Sequence, residues 1–111
     1  MNNLDLSGYQ KRLESTLTKG RVTHSTGVMY TAASLAMRYA LDINQAMIAG
    51  YLHDCGKYGT LEQQMERCRK RNISLSPSEL KNPALVHTKL GAFMAEHDYG
   101  VKDPAILDAI R

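Results

Sequence analysis

Between Leu6 and Ile110, apolar side chains return every three or four positions, in runs separated by glycine, proline and cap-forming residues. That period belongs to successive amphipathic helices. A chain patterned this way buries its stripes only by packing helix on helix, so the expected fold is all-α, a small helical bundle. Six Met, one Phe and no Trp agree, because sheet interiors lean on aromatic and β-branched residues. At 111 residues there is room for a single core, and residues 1–111 read as one domain.

Leu6, Tyr9, Leu13 and Leu17 define a first helix over 6–19, stopped at Gly20. His24, Val28, Ala32, Leu35 and Tyr39 share a face of a second, over about 22–40, which sets His24 into an apolar side. Asp42 and Gln45 read as a capping box opening a third helix, with Ala46, Ala49, Gly50 and His53 on one face and Gly56 beyond its end. Thr60 and Gln63 open a short, polar fourth helix through Leu61, Met65 and Cys68. Residues 74–83 read as a loop with one turn capped by Ser76 and Glu79. Asn82-Pro83 then starts a helix facing His87, Leu90, Gly91 and Met94 inward, and Asp103-Pro104 starts a last one through Ile106, Leu107 and Ile110. The last helix reads as cut short at Arg111.

Two cysteines, Cys55 and Cys68, are too few for a disulfide framework, and no stretch resembles a signal peptide or membrane span. A cytoplasmic protein with reduced thiols and no membrane partner is expected. The net charge of +3 is too small to name a partner. Arg67, Arg69, Lys70 and Arg71 form the densest basic run and read as a solvated helix face, so no nucleic-acid partner is expected. No glycine loop of the P-loop or Rossmann type is present.

The chemistry is carried by histidines. His24, His53 and His87 fall on three different helices, all read as core-facing, and His53 is followed by Asp54 and then Lys57. Imidazoles and a carboxylate converging inside a bundle are how such folds build metal sites. Neighbours on a helix point about 100° apart, so His53 and Asp54 share an ion only if the helix ends there, and Gly56 supplies the end. Lys57 is then placed to meet a phosphate oxygen. A second doublet, His97-Asp98, sits between Glu96 and Tyr99-Gly100 at a helix end, where it caps or faces water. Cys55 reads as a small apolar filler.

With those residues in view, His24-Ser-Thr-Gly-Val and Leu52-His53-Asp54-Cys-Gly-Lys57 resemble the HD-domain metal-dependent phosphohydrolases. Arg21, the segment Leu85-Val-His87-Thr-Lys-Leu-Gly91-Ala92 and the stretch from Asp103 to Arg111 follow in the order of the bacterial YqeK-type symmetrical diadenosine tetraphosphate hydrolases. The likeness covers nearly the whole chain. It implies that His24, His53 and Asp54 bind a divalent metal, iron in that family. It also implies that Asp54 and Lys57 are catalytic, and that Arg21, Asp54, Cys55, Gly56, Lys57 and His87 face a nucleotide substrate cleaved to two ADP. In binuclear relatives the counterpart of His87 binds a second ion, so its role between metal and phosphate stays open. The family pattern continues with a His-Thr motif just after the position of Arg111 and a later helix bearing an Asp ligand. Neither is in these 111 residues, which reads as an HD domain lacking its C-terminal helices. Asp108, the one acid in the last helix, is a candidate replacement, although its neighbours match a non-ligand position. The alternative is a catalytically incomplete HD-domain module that binds nucleotide. A homodimer is one way to cover apolar surface left on the unfinished last helix.

Overall fold

The computed structural model describes residues 6–111, and their regular structure is helical. α1 spans Leu6–Thr16, α2 Lys19–Arg38, α3 Ile43–Leu52, α4 Leu61–Lys70, α5 Pro77–Leu80, α6 Pro83–His97 and α7 Pro104–Ile110. α2 lies along α3, α7 rests on α3 and α6, and α6 also carries α4 and α5, while α1 packs on α2. The core they enclose includes Leu13, Met29, Leu52, Val86, Leu90 and Ile106.

The helix starts follow their cap residues. Thr60–Gln63 and Ser76–Glu79 form complete capping boxes, and Asn82 and Asp103 accept from the Ala84 and Ala105 N–H groups ahead of Pro83 and Pro104. Asp42 caps α3 by accepting from the Gln45 N–H. The Gln45 side chain does not complete that box. It donates instead to Asp103 Oδ2 at 2.8 Å, joining the start of α3 to the cap of α7.

Two readings of the sequence are corrected. Gly20 does not end α1: α1 stops at Thr16, Thr18 caps α2, and Gly20 lies within the first turn of α2. A Thr hydroxyl that satisfies the Arg21 N–H opens a helix there before the glycine is reached. The buried face of α2 is Ser25, Met29, Ala33 and Ala36, one step round from the expected stripe, which leaves Leu35 54% and Tyr39 64% exposed. Close approach explains the choice. A Cβ on Gly50 of α3 would sit 3.1 Å from the Val28 carbonyl oxygen and 3.2 Å from the Ala32 Cβ, so the two helices touch almost backbone to backbone. Small side chains fit that seam and large ones are turned out of it.

Candidate metal centre

α3 closes at Leu52, and the chain turns tightly as the Cys55 N–H donates to the Leu52 carbonyl at 3.0 Å and the Lys57 N–H to the Asp54 carbonyl at 2.9 Å. The turn brings the doublet together, with His53 Nε2 3.2 Å from Asp54 Oδ2. His24, from α2, places Nε2 3.8 Å from the same oxygen, and His87, from α6, places Nε2 3.5 Å from Oδ1. Asp54 is buried at the centre. The histidines around it are not equivalent: the side chain of His24 is 61% exposed and that of His87 only 13%. His24 is therefore not core-facing as its stripe suggested; it stands at the solvent mouth of the cluster.

Hydrogen bonding decides what these groups offer. His53 Nδ1 lies 2.7 Å from the Gly50 carbonyl oxygen, which only accepts, so Nδ1 carries a proton and Nε2 is the ring nitrogen turned toward Asp54. Burial holds the His87 pKa below the usual histidine value, against the opposing pull of the Asp54 charge. Ring nitrogen and carboxylate oxygen thus face one another, an arrangement that repels unless a cation or proton lies between them. One donor atom each from His24, His53 and Asp54 lie within 4.8 Å of one another. Donors about 2.1 Å from a divalent ion stand roughly 3 Å or more apart, so the residues present fit such an ion.

Gly56 and Gly91 set the distance between the turn and α6. A Cβ on Gly56 would lie 2.7 Å from the Gly91 nitrogen and 2.9 Å from the His87 carbonyl oxygen. Cys55 packs beside them, completely buried, with its thiol donating to the Gly91 carbonyl at 3.2 Å. Burial, aided by the nearby Asp98 and Asp54 charges, pushes the Cys55 pKa up to about 12, so it remains an inert thiol. This corrects its place among substrate-facing residues: Cys55 has no surface to present and serves as the filler under the turn. Gly56 is buried too, and its contribution is the close approach of two backbones.

Lys57 and His87 border a cleft of about 210 Å³ whose other walls are Leu61, Gln64, Pro83 and Ala84. Larger hollows, such as one of about 510 Å³ between α1 and α2, contain none of the clustered histidines. Arg21 is exposed one turn before His24, and among the described residues no hydrogen bond or ion pair joins its side chain to the cluster. Gln64 escaped the reading of the sequence; its signal is a polar residue on the inward stripe of α4, beside Cys68.

The remaining candidates lie elsewhere. Asp98 receives both Arg71 guanidinium nitrogens, at 2.7 and 2.9 Å, and His97 stacks on Phe93 with ring centres 4.2 Å apart, so the second doublet is a tertiary joint, neither a plain cap nor a solvated end. Asp108 is exposed and pairs with Arg111 at 2.8 Å, outside the cluster. The basic run is also less free than expected. Arg67 lies 3.6 Å from the Tyr58 ring centre, Arg69 pairs with Glu66, and Arg71 is held by Asp98.

The HD-domain family pattern matches residues 21–111, the segment that carries the whole cluster. The chain belongs to the HD-domain family. It is 38% identical over 97 residues to the symmetrical bis(5'-nucleosyl)-tetraphosphatase of Bacillus subtilis (strain 168), covering 86% of this chain and 50% of that protein. The protein of the same name from Staphylococcus aureus (strain NCTC 8325 / PS 47) is 33% identical over 102 residues, covering 91% and 52%. The crystal structure of an HD superfamily hydrolase from Clostridium acetobutylicum, described as involved in NAD metabolism, superposes with a TM-score of 0.87 at 33% identity, over 98% of this chain and 58% of that one. The HD domain here thus spans about half the length of the curated relatives it matches. HD domains are metal-dependent, and His24, His53 and Asp54 are the group placed to hold an ion. No helix among the described residues is long and apolar enough to cross a membrane.

Proposed function

We propose that residues 1–111 form one HD domain of a cytoplasmic phosphohydrolase that uses iron to cleave dinucleoside polyphosphates, diadenosine tetraphosphate symmetrically to two ADP. The observation that carries this reading is Asp54, buried within 3.8 Å of three imidazole nitrogens from three separate parts of the chain. His24, His53 and Asp54 would hold the ion. A bound divalent ion supplies neutralisation of phosphate charge and a lowered pKa for water. Asp54, with an oxygen turned each way, also orients the attacking water. Lys57 balances charge on the phosphate oxygens as the anhydride P–O bond breaks toward the departing ADP, with Arg21 and His87 facing the same phosphates. The activity for which these relatives are named and the residue chemistry support the same reaction class.

The alternative reading is an HD-domain module that binds nucleotide without turning it over. One experiment separates the two. Metal per chain is measured by mass spectrometry after anaerobic purification, with His53→Ala alongside, and both proteins are assayed for ADP release from diadenosine tetraphosphate. Near-stoichiometric iron, lost in the variant while helical circular dichroism is kept, is expected. Iron with ADP release supports the hydrolase; iron with nucleotide binding but no ADP supports the binding module. Metal retained at full occupancy in His53→Ala would falsify the site.

A further inference from the structure

We infer that the cleft beside His87 seats the nucleobase of the substrate, and that Gln64 reads its edge. The inference rests on the phosphate-site reading above. The cleft of about 210 Å³ has Lys57 and His87 at the side facing the cluster and Leu61, Pro83 and Ala84 as apolar walls. Its volume is below the range of pockets that hold whole drug-sized ligands, and suits one flat ring system. Apolar walls with a single orienting amide are the usual means of holding such a ring, while the ammonium and imidazole lie where the phosphates of the same nucleotide would leave it.

Gln64 is 7% exposed, a buried polar side chain on a helix whose neighbouring inward residue is Cys68. Its Nε2 donates to the Gly59 carbonyl oxygen at 3.4 Å, and Oε1 has no donor among the described residues. Gln64 lines the cleft, and with Nε2 engaged by Gly59 the amide atom left to meet a ligand is the acceptor Oε1. Gly59 takes a positive φ of 77°, a backbone conformation that glycine adopts without strain. An acceptor there pairs with the exocyclic amino group of adenine and opposes the O6 oxygen of guanine at the same edge. Reversing the amide to suit guanine would forfeit the bond to Gly59.

The test is calorimetric titration of the protein as purified with ADP, GDP and inorganic tripolyphosphate, repeated with Gln64→Leu and Gln64→Met, whose folding is checked by circular dichroism. The wild type is expected to bind ADP about five- to tenfold more tightly than GDP, the worth of one hydrogen bond to a group otherwise left unpaired. Both variants are expected to lose that ratio and keep their affinity for tripolyphosphate. An unchanged ADP-to-GDP ratio in folded variants overturns the assignment of Gln64 while leaving the phosphate site standing. Failure of the wild type to bind any of the three ligands overturns the phosphate-site reading and this inference with it.

Discussion

Asp98 shows how far a residue's neighbours decide its role. Hydrogen bonds from Arg71 hold its carboxyl below the usual aspartate range, burial opposing them. The depressed pKa means that the pair stabilises the fold fully above the ordinary aspartate value of about 4 and loses its effect as pH falls through the folded value. Asp98→Asn is expected to cost up to about 1 kcal/mol at pH 7, the partial exposure of both side chains keeping the loss small. The gap between wild type and variant should then narrow below about pH 4 in urea titrations. A gap independent of pH would show that the pair contributes through packing alone. The sequence offers the same His-Asp letters at 53–54 and at 97–98. What separates them is legible in part: the run Ala46 to Leu52 marks the first doublet as buried, but nothing local discloses that Arg71 will reach Asp98.

Among the elements, caps and stripes were readable because they act over three or four residues. Six of the seven helices among the described residues begin at a cap residue whose side chain accepts a backbone N–H. The buried face of α2 is not legible locally because it depends on how closely α3 approaches, and that is set by Gly50 on the next helix, against Val28, Met29 and Ala32. Glycines themselves are not equal. Gly56→Ala is expected to destabilise by roughly 1–3 kcal/mol, since its Cβ meets backbone atoms of α6 that cannot step aside. Gly20→Ala, inside α2 with nothing within 4 Å of the new Cβ, is expected to be neutral or to stabilise by up to about 1 kcal/mol. Equilibrium denaturation of both variants checks the contrast, and equal losses would show that the Gly56 contact is not the constraint described.

For the molecule as a whole, the candidate centre draws on α2, on the turn after α3 and on α6, so any ion held there bridges helices that are distant in sequence. Ligand that binds only the folded state stabilises it by about 2.7 kcal/mol at a free concentration of 100 times Kd. Adding ferrous ion under anaerobic conditions is therefore expected to raise the Tm by on the order of 10 °C. The rise should vanish in His53→Ala, as differential scanning calorimetry would reveal; an equal rise in both proteins would place the ion elsewhere. The turn that carries Asp54 and the helix that carries His87 meet at Gly56 and Gly91, where backbone lies directly against backbone. Most contacts in a protein can drift by small substitutions, a methyl gained here and lost there. This one has no intermediate settings, so the spacing of the two groups can be preserved or lost by mutation at the joint but not gradually adjusted, and any change in the site's selectivity must come from its rim.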